Sequence, residues 1–162
     1  MSYPQPRYLG GSGELTAAIR RADAEPDLLM PHGAVGYLAT GASTGGDFGL
    51  YRWDMDGPPT GPGAHFHRTM SESFFVLTGV IRILCGDRTV DAAAGDFVHV
   101  PPGGVHGFRN ESGRAASMLL LFTPGAPREA YFEGLAELAA SGRDPSPAEL
   151  EEFYLRHDNH WV

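Results

Sequence analysis

Short strand-like segments separated by tight turns fill the middle of this sequence, from about residue 28 to residue 124. Most are rich in β-branched or aromatic side chains, and glycine or proline stands between many of them. The 22 glycines and 13 prolines of the chain supply these turns. Strands at this spacing predict an all-β sandwich or barrel and argue against an alternating strand–helix fold.

The chain divides into three predicted parts: an N-terminal extension (1–34), a β-barrel (35–124) and a C-terminal helical extension (125–162). The predicted strands are 35–39, 48–55, 74–77, 80–85, 89–92, 97–100, 106–109 and 116–123. In the first part, Leu15 and Ile19 recur at helical spacing and predict a short helix that ends before Pro26.

Two helices are predicted after the strands. The first covers residues 128–140, where apolar side chains recur along one stripe. The second begins at Pro147, because Ser146 can act as N-cap and Glu149, three residues later, completes a capping box. We expect both helices to cover part of the barrel, and the alternative is that they form a dimer contact.

Charge and composition restrict the partners of the protein. Twenty acidic against twelve basic residues give a formal net charge of −8, which repels phosphate backbones and argues against nucleic acid as a partner. The longest strongly apolar run, residues 118–122, is too short to cross a bilayer. No signal peptide is recognisable, and Cys85 as the only cysteine excludes an internal disulfide, so a cytoplasmic protein is expected.

Three histidines and one glutamate form the pattern with the clearest chemistry. His65 and His67 are two residues apart, so in a strand their side chains point the same way. Glu72 follows after room for a turn, and His106 comes after a turn rich in glycine and proline on a later strand. Three imidazoles and one carboxylate suit one divalent transition metal ion and leave coordination positions open for catalysis.

Other side chains in the same region have less specific patterns. Phe74, Val76 and Phe108 share strand parity with Glu72 or His106, so they either line a substrate pocket beside the metal or belong to the ordinary core. His157 and His160 could in principle bind metal, but we expect them to lie in a solvated tail.

These stretches resemble the two signature motifs of the cupin superfamily. The second motif is matched at Gly95, Pro101, Gly103, His106 and Asn110, and the first at His65, His67, Glu72 and Gly79. The first motif departs at its start, where Pro59 replaces the usual glycine with five residues between it and His65. The resemblance implies a cupin double-stranded β-helix (a jelly-roll barrel) with two C-terminal α-helices, and a homodimer.

Outside the motifs, the chain is similar to bacterial quercetinase-like cupins with a single domain. The similar stretches are Thr44-Gly45-Gly46, residues 74–79, Thr123-Pro124-Gly125 and Tyr131-Phe132. This similarity implies a metal-dependent dioxygenase acting on an aromatic or enolic small molecule, with Glu72 as both metal ligand and base. The ion could be Fe, Ni, Co, Mn, Cu or Zn. The alternatives are a metal-dependent cyclase or isomerase of aromatic polyketide type and a cupin that binds a small molecule without turnover.

Overall fold

Two antiparallel β-sheets packed face to face form the centre of the computed structural model, which describes residues 2–162. Within these residues the strands are β1 (Leu28–Met30), β2 (Gly33–Ala39), β3 (Gly49–Met55), β4 (His65–Phe66), β5 (Ser71–Thr78), β6 (Val80–Cys85), β7 (Arg88–Ala93), β8 (Phe97–Val100), β9 (His106–Arg109), β10 (Ala116–Thr123) and β11 (His160–Trp161). The helices are α1 (Arg128–Ala140) and α2 (Pro147–Arg156).

The chain passes from one sheet to the other along its length. One sheet has the order β1-β2-β3-β10-β5-β8 and the other the order β11-β4-β9-β6-β7. The crossing between β5 and β6 occurs at Gly79, whose φ of 76° and closeness to the backbone of Ala115 leave no room for a side chain. The predicted all-β jelly-roll fold with two C-terminal helices is confirmed.

The hydrophobic core lies between the two sheets and follows the period-two alternation of strands. In β10, Met118, Leu120 and Phe122 are buried and face the interior, while the residues between them are more exposed. Tyr51 from β3 and Phe74 from β5, the neighbours of β10, are completely buried as well. This core holds the middle strands in register and gives the metal-ligand candidates a fixed frame.

Both C-terminal helices lie where the sequence predicts them. The ring of Phe132 in α1 packs against those of Trp53 (5.1 Å) and Tyr51 (5.2 Å), so α1 covers one side of the larger sheet. The capping box at Ser146 forms as predicted: its side chain accepts the backbone N–H of Glu149, and the Glu149 carboxylate accepts that of Ser146. The two helices meet where Phe153 of α2 stacks on Tyr131 of α1.

The prediction of a short helix before Pro26 is wrong. Residues 13–21 have no regular secondary structure, and the side chains of Leu15 and Ile19 are 85% and 76% exposed. A short segment gains helical stability mainly by burying its apolar stripe, and here no surface covers that stripe.

Strands also lie outside residues 35–124, the range predicted for the barrel. β1 begins at Leu28, before residue 35, and β11 returns the last part of the chain to the second sheet. No helix in residues 2–162 is long and apolar enough to span a membrane.

We expect Leu120→Ala to lower the free energy of unfolding by about 2–5 kcal/mol, because it leaves a cavity between the sheets. Leu15→Ala is the matched control and should change this free energy by less than about 0.5 kcal/mol, since Leu15 packs against nothing. Urea denaturation followed by circular dichroism measures both. A comparable loss in the two variants would show that residues 13–21 pack against the barrel.

Candidate metal centre

Four side chains from three strands and one adjoining turn come together between the sheets. One ligating atom each from His65, His67, Glu72 and His106 lies within 4.8 Å of the others, and all four residues are buried. His65 in β4 stands directly opposite His106 in β9. Phe66, between the two histidines, packs instead against His160 (5.0 Å between ring centroids). The two imidazoles of the His65-Phe66-His67 segment therefore converge, as the strand alternation predicts.

Backbone carbonyls orient the three imidazole rings. In each ring Nδ1 lies at hydrogen-bond distance from a carbonyl oxygen, which can only accept, so Nδ1 carries the proton. The pairs are His65 with Gly63 (2.9 Å), His67 with Asp158 (2.7 Å) and His106 with Gly104 (2.9 Å). In the neutral rings Nε2 is then left with a lone pair, which is the form that binds a metal.

Glu72 brings a carboxylate into contact with two of these lone pairs. Its Oε2 is 2.9 Å from Nε2 of His67 and 2.9 Å from Nε2 of His106. An unprotonated Nε2 at this distance would repel the carboxylate, so the contacts require positive charge, either from a metal ion among these atoms or from a proton on an imidazole Nε2. Two ligands that each lie about 2.0–2.2 Å from one ion, at right angles, are about 2.8–3.1 Å apart, so the spacing fits a shared metal ion.

The pKa values of Glu72, His65 and His106 shift in different directions. Burial alone raises the pKa of Glu72, but contacts with His106 and His67 outweigh it and lower the pKa, so the carboxylate is ionised. Burial, aided by the neighbouring His106, lowers the pKa of His65 to about 4 and keeps this ring neutral. Burial also acts to lower the pKa of His106, yet the Glu72 carboxylate raises it overall, so a proton competes with a metal at this ring.

A cavity of about 300 Å³ reaches the cluster from the side of the helices, and His65 and Glu72 line its inner end. Its other walls include the aromatic side chains of Trp53, Phe108, Phe122, Tyr131, Phe132 and Trp161. Of the three residues considered for a substrate pocket, only Phe108 lines this cavity. Phe74 packs behind His106 (5.9 Å between rings), and Val76 is buried in the core.

The segment after α2 closes one side of the centre, and this role is missed by the sequence reasoning. The prediction that His157 and His160 lie in a solvated tail is wrong, because β11 pairs with β4 and the ring of His157 packs against Phe153 (4.9 Å). The Trp161 ring lies 5.3 Å from that of His65.

Asp158, in the segment after α2, forms hydrogen bonds with His67 and with the two residues that follow it. Its carbonyl oxygen orients His67, as described above, and its carboxylate accepts the backbone N–H groups of Arg68 (3.0 Å) and Thr69 (2.8 Å). Its backbone has a φ of 57°, which turns the chain sharply before β11. The orientation of His67 therefore depends on a residue 91 positions away.

Arg128 is a second residue that the sequence reasoning missed. It begins α1, is only 4% exposed and lines the cavity with Glu72. Its Nη1 donates to the Asn159 Oδ1 (3.1 Å), and the Asn159 Nδ2 donates to the Tyr131 hydroxyl (2.8 Å). An arginine at the positive end of a helix dipole is unfavourable, and this was the available signal of a special role.

A known protein family matches the part of the chain that contains the four metal-ligand candidates. Residues 53–122 match the family model described as a cupin domain, and this range contains all four metal-ligand candidates. No curated protein sequence matches the chain. Residues 53–122 are therefore similar to a cupin domain.

Solved structures share the fold at low sequence identity. KdgF from Halomonas sp. has a TM-score of 0.58 at 14% identity, over 68% of this chain and 94% of KdgF. A protein described as a predicted oxalate decarboxylase from Thermotoga maritima has a TM-score of 0.59 at 16% identity, over 67% and 99%. The polyketide cyclase RemF from Streptomyces resistomycificus has a TM-score of 0.55 at 21% identity, over 67% and 80%. At such identities the likeness establishes the fold alone.

We expect Asn159→Ala to lower the free energy of unfolding by about 1–3 kcal/mol, because it leaves buried polar groups of Arg128 and Tyr131 without this partner. Glu151→Ala, on the exposed face of α2, is the control and should be close to neutral. Urea denaturation measures both variants. Equal stability of the two would mean that the segment after α2 is not held through Asn159.

Proposed function

We propose that this chain is a metal-dependent cupin enzyme that acts on an aromatic or enol-type small molecule. The ligands of its single divalent transition metal ion are His65, His67, Glu72 and His106. The observation that carries this proposal is the meeting of three imidazoles and a buried carboxylate within 4.8 Å, with Oε2 of Glu72 2.9 Å from two Nε2 atoms, a spacing that fits a metal ion among them. The cupin match over residues 53–122 supports it independently.

The donor set and the cavity favour catalysis over a purely structural ion. Three neutral imidazoles and one carboxylate suit Fe, Ni, Co, Mn, Cu or Zn, and a five- or six-coordinate ion keeps open positions with these ligands. His65 and Glu72 line the inner end of the cavity, so a ligand that fills it meets the centre directly. The aromatic walls favour a planar, apolar ring and exclude water from it.

Glu72 is the proposed base. When bound, a divalent ion supplies Lewis acidity that lowers the pKa of a substrate hydroxyl. Oε2 of Glu72 faces His67 and His106, whereas Oε1 has no hydrogen-bond partner within residues 2–162 and can accept the proton. A carboxylate with a lowered pKa is a weak base, so this transfer works only on a hydroxyl that is already acidified.

The proposed reaction is the addition of dioxygen to the electron-rich substrate, as in the quercetinase-like cupins that the sequence resembles. Proton removal by Glu72 makes an enol or phenol electron-rich, and the aromatic walls keep water away from it. The same site could perform enolisation without oxygen, which is the chemistry of a cyclase or isomerase. A requirement for oxygen therefore separates the two reactions.

The homodimer also remains a proposal. Phe97 in the edge strand β8 stands opposite Phe75 in the neighbouring strand β5, and both are exposed. Apolar side chains on an edge strand favour pairing with a second sheet, which supports this arrangement.

We expect the purified protein to contain close to one transition metal ion per chain. His106→Ala and Glu72→Gln should each lower the bound metal at least tenfold, because each removes a ligand or its charge. His32→Ala is the control and should retain the metal, since His32 is an exposed residue outside the cluster. Elemental analysis after dialysis measures occupancy. Full occupancy in His106→Ala would remove this residue from the ligand set.

We further expect the metal-loaded protein to consume dioxygen with a flavonol such as quercetin, and Glu72→Gln to lower the rate at least 100-fold. An oxygen electrode and the loss of flavonol absorbance follow the reaction. His32→Ala again serves as the control. Turnover of an enolic aromatic under argon would replace the oxygenase with a cyclase or isomerase, and metal binding without any turnover would indicate a binding protein.

A further inference from the structure

Arg128 lines the cavity, and only one nitrogen of its guanidinium is hydrogen-bonded to the described residues. Nη1 donates to the carbonyl oxygen of His157 (2.8 Å) and to Asn159 Oδ1 (3.1 Å). Within residues 2–162, neither Nε nor Nη2 has a hydrogen-bond partner, and Nε is fully enclosed. Arg128 is 4% exposed and lines the same cavity as Glu72.

A buried donor without a partner is costly, and the loss is larger for a charged group. Because Nε is enclosed, Nη2 is the atom of this guanidinium that can reach a group in the cavity, and its N–H groups can donate charge-assisted hydrogen bonds to a carboxylate. The rings of Tyr131 and Phe122, with centroids 4.2 Å and 4.9 Å from Cζ, stabilise the positive charge but do not accept from these N–H groups.

Glu72 is the anionic group that acts most strongly on the charge of Arg128, but the two side chains form no salt bridge. Arg128 forms no salt bridge with the described residues, although the chain as a whole is strongly acidic. Glu72 is the only acidic residue among those that line the cavity, and its Oε2 is engaged with His67 and His106. A divalent ion in the cluster would make the lining more positive still.

Tyr131 adds a neutral donor beside the guanidinium. Its hydroxyl oxygen accepts from Asn159 Nδ2, so its own proton is free to be donated to another group. Asn159 is bound at both ends, to Arg128 and to Tyr131, which fixes these two side chains relative to each other.

We propose that Arg128, assisted by Tyr131, binds a carboxylate group of the substrate. This deepens the proposed function and rests on it for the metal end of the cavity. The substrate class becomes an aromatic carboxylate whose ring lies between the aromatic walls, with the acid at Arg128 and the reacting part toward His65 and Glu72. Neutral flavonols would then be poorer ligands than aromatic acids of similar size.

The experiment compares 2-naphthoate with its neutral analogue 2-naphthamide. Isothermal titration calorimetry is done with metal-loaded protein and again after metal removal by chelation. We expect naphthoate to bind about tenfold tighter or more in both states, as for a charge-assisted pair. In Arg128→Met this preference should fall to about twofold or less, while the affinity for naphthamide changes little.

A second variant keeps the test valid if Arg128→Met does not fold. Asn159→Asp retains an acceptor for Arg128 Nη1 and lets Tyr131 donate to the new carboxylate, so the network is kept while the charge of Arg128 is neutralised. The preference for naphthoate should fall at least fivefold. Because the new carboxylate also repels naphthoate directly, Tyr131→Phe is measured beside it: this variant adds no charge, and loss of the assisting hydroxyl should lower the preference at least twofold, whereas a purely structural role of Arg128 and Tyr131 predicts no change there.

Four outcomes would overturn the proposal. They are equal binding of the two probes, no binding of naphthoate at millimolar concentration, a preference that persists in the variants, and a preference that disappears on metal removal alone. The last would assign the carboxylate to the metal ion. Calorimetry without metal tests the role of Arg128 alone. Elemental analysis tests the metal ligands, so the two proposals can fail separately.

Discussion

Three histidine rings are held by hydrogen bonds from Nδ1 to backbone carbonyls, and the rest of the site follows from this constraint. Each bond fixes the tautomer of its ring and leaves the Nε2 lone pair at the cluster. The carboxylate of Glu72 would be costly to bury alone, and it needs positive charge at the cluster, from a metal ion or from a protonated His106. The strands β4, β5 and β9 position His65, Glu72 and His106, whereas His67 follows β4 and is oriented by Asp158 from the segment after α2.

The parts of the site that the sequence predicts are those controlled by local periodicity. Strand alternation places His65 and His67 on one face, and a turn of glycine and proline brings His106 opposite to them. The capping box at Ser146 is predicted for the same reason, because its partner is three residues away. The match to the cupin motifs adds the pairing of the two segments, which periodicity alone does not contain.

The remaining features depend on surfaces that a local pattern does not encode. The helix expected around Leu15 fails because nothing covers its apolar stripe. Arg128 and Asn159 are 31 positions apart in the sequence and still form a hydrogen bond. Strand parity does not predict which residues of the helices line the cavity. Phe74 shares parity with Glu72 and still lies behind His106, because parity selects a face of the sheet and not a position along the cavity.

The contact between His67 and Asp158 also has a consequence for biosynthesis. A ribosome adding about 5–20 residues per second needs on the order of ten seconds to make the 91 residues between them. During that interval the nascent barrel would present β4 as an unpaired edge and leave one imidazole free to turn. Loading of the ion would then be a late event, because the centre is complete only after residue 158 has been synthesised.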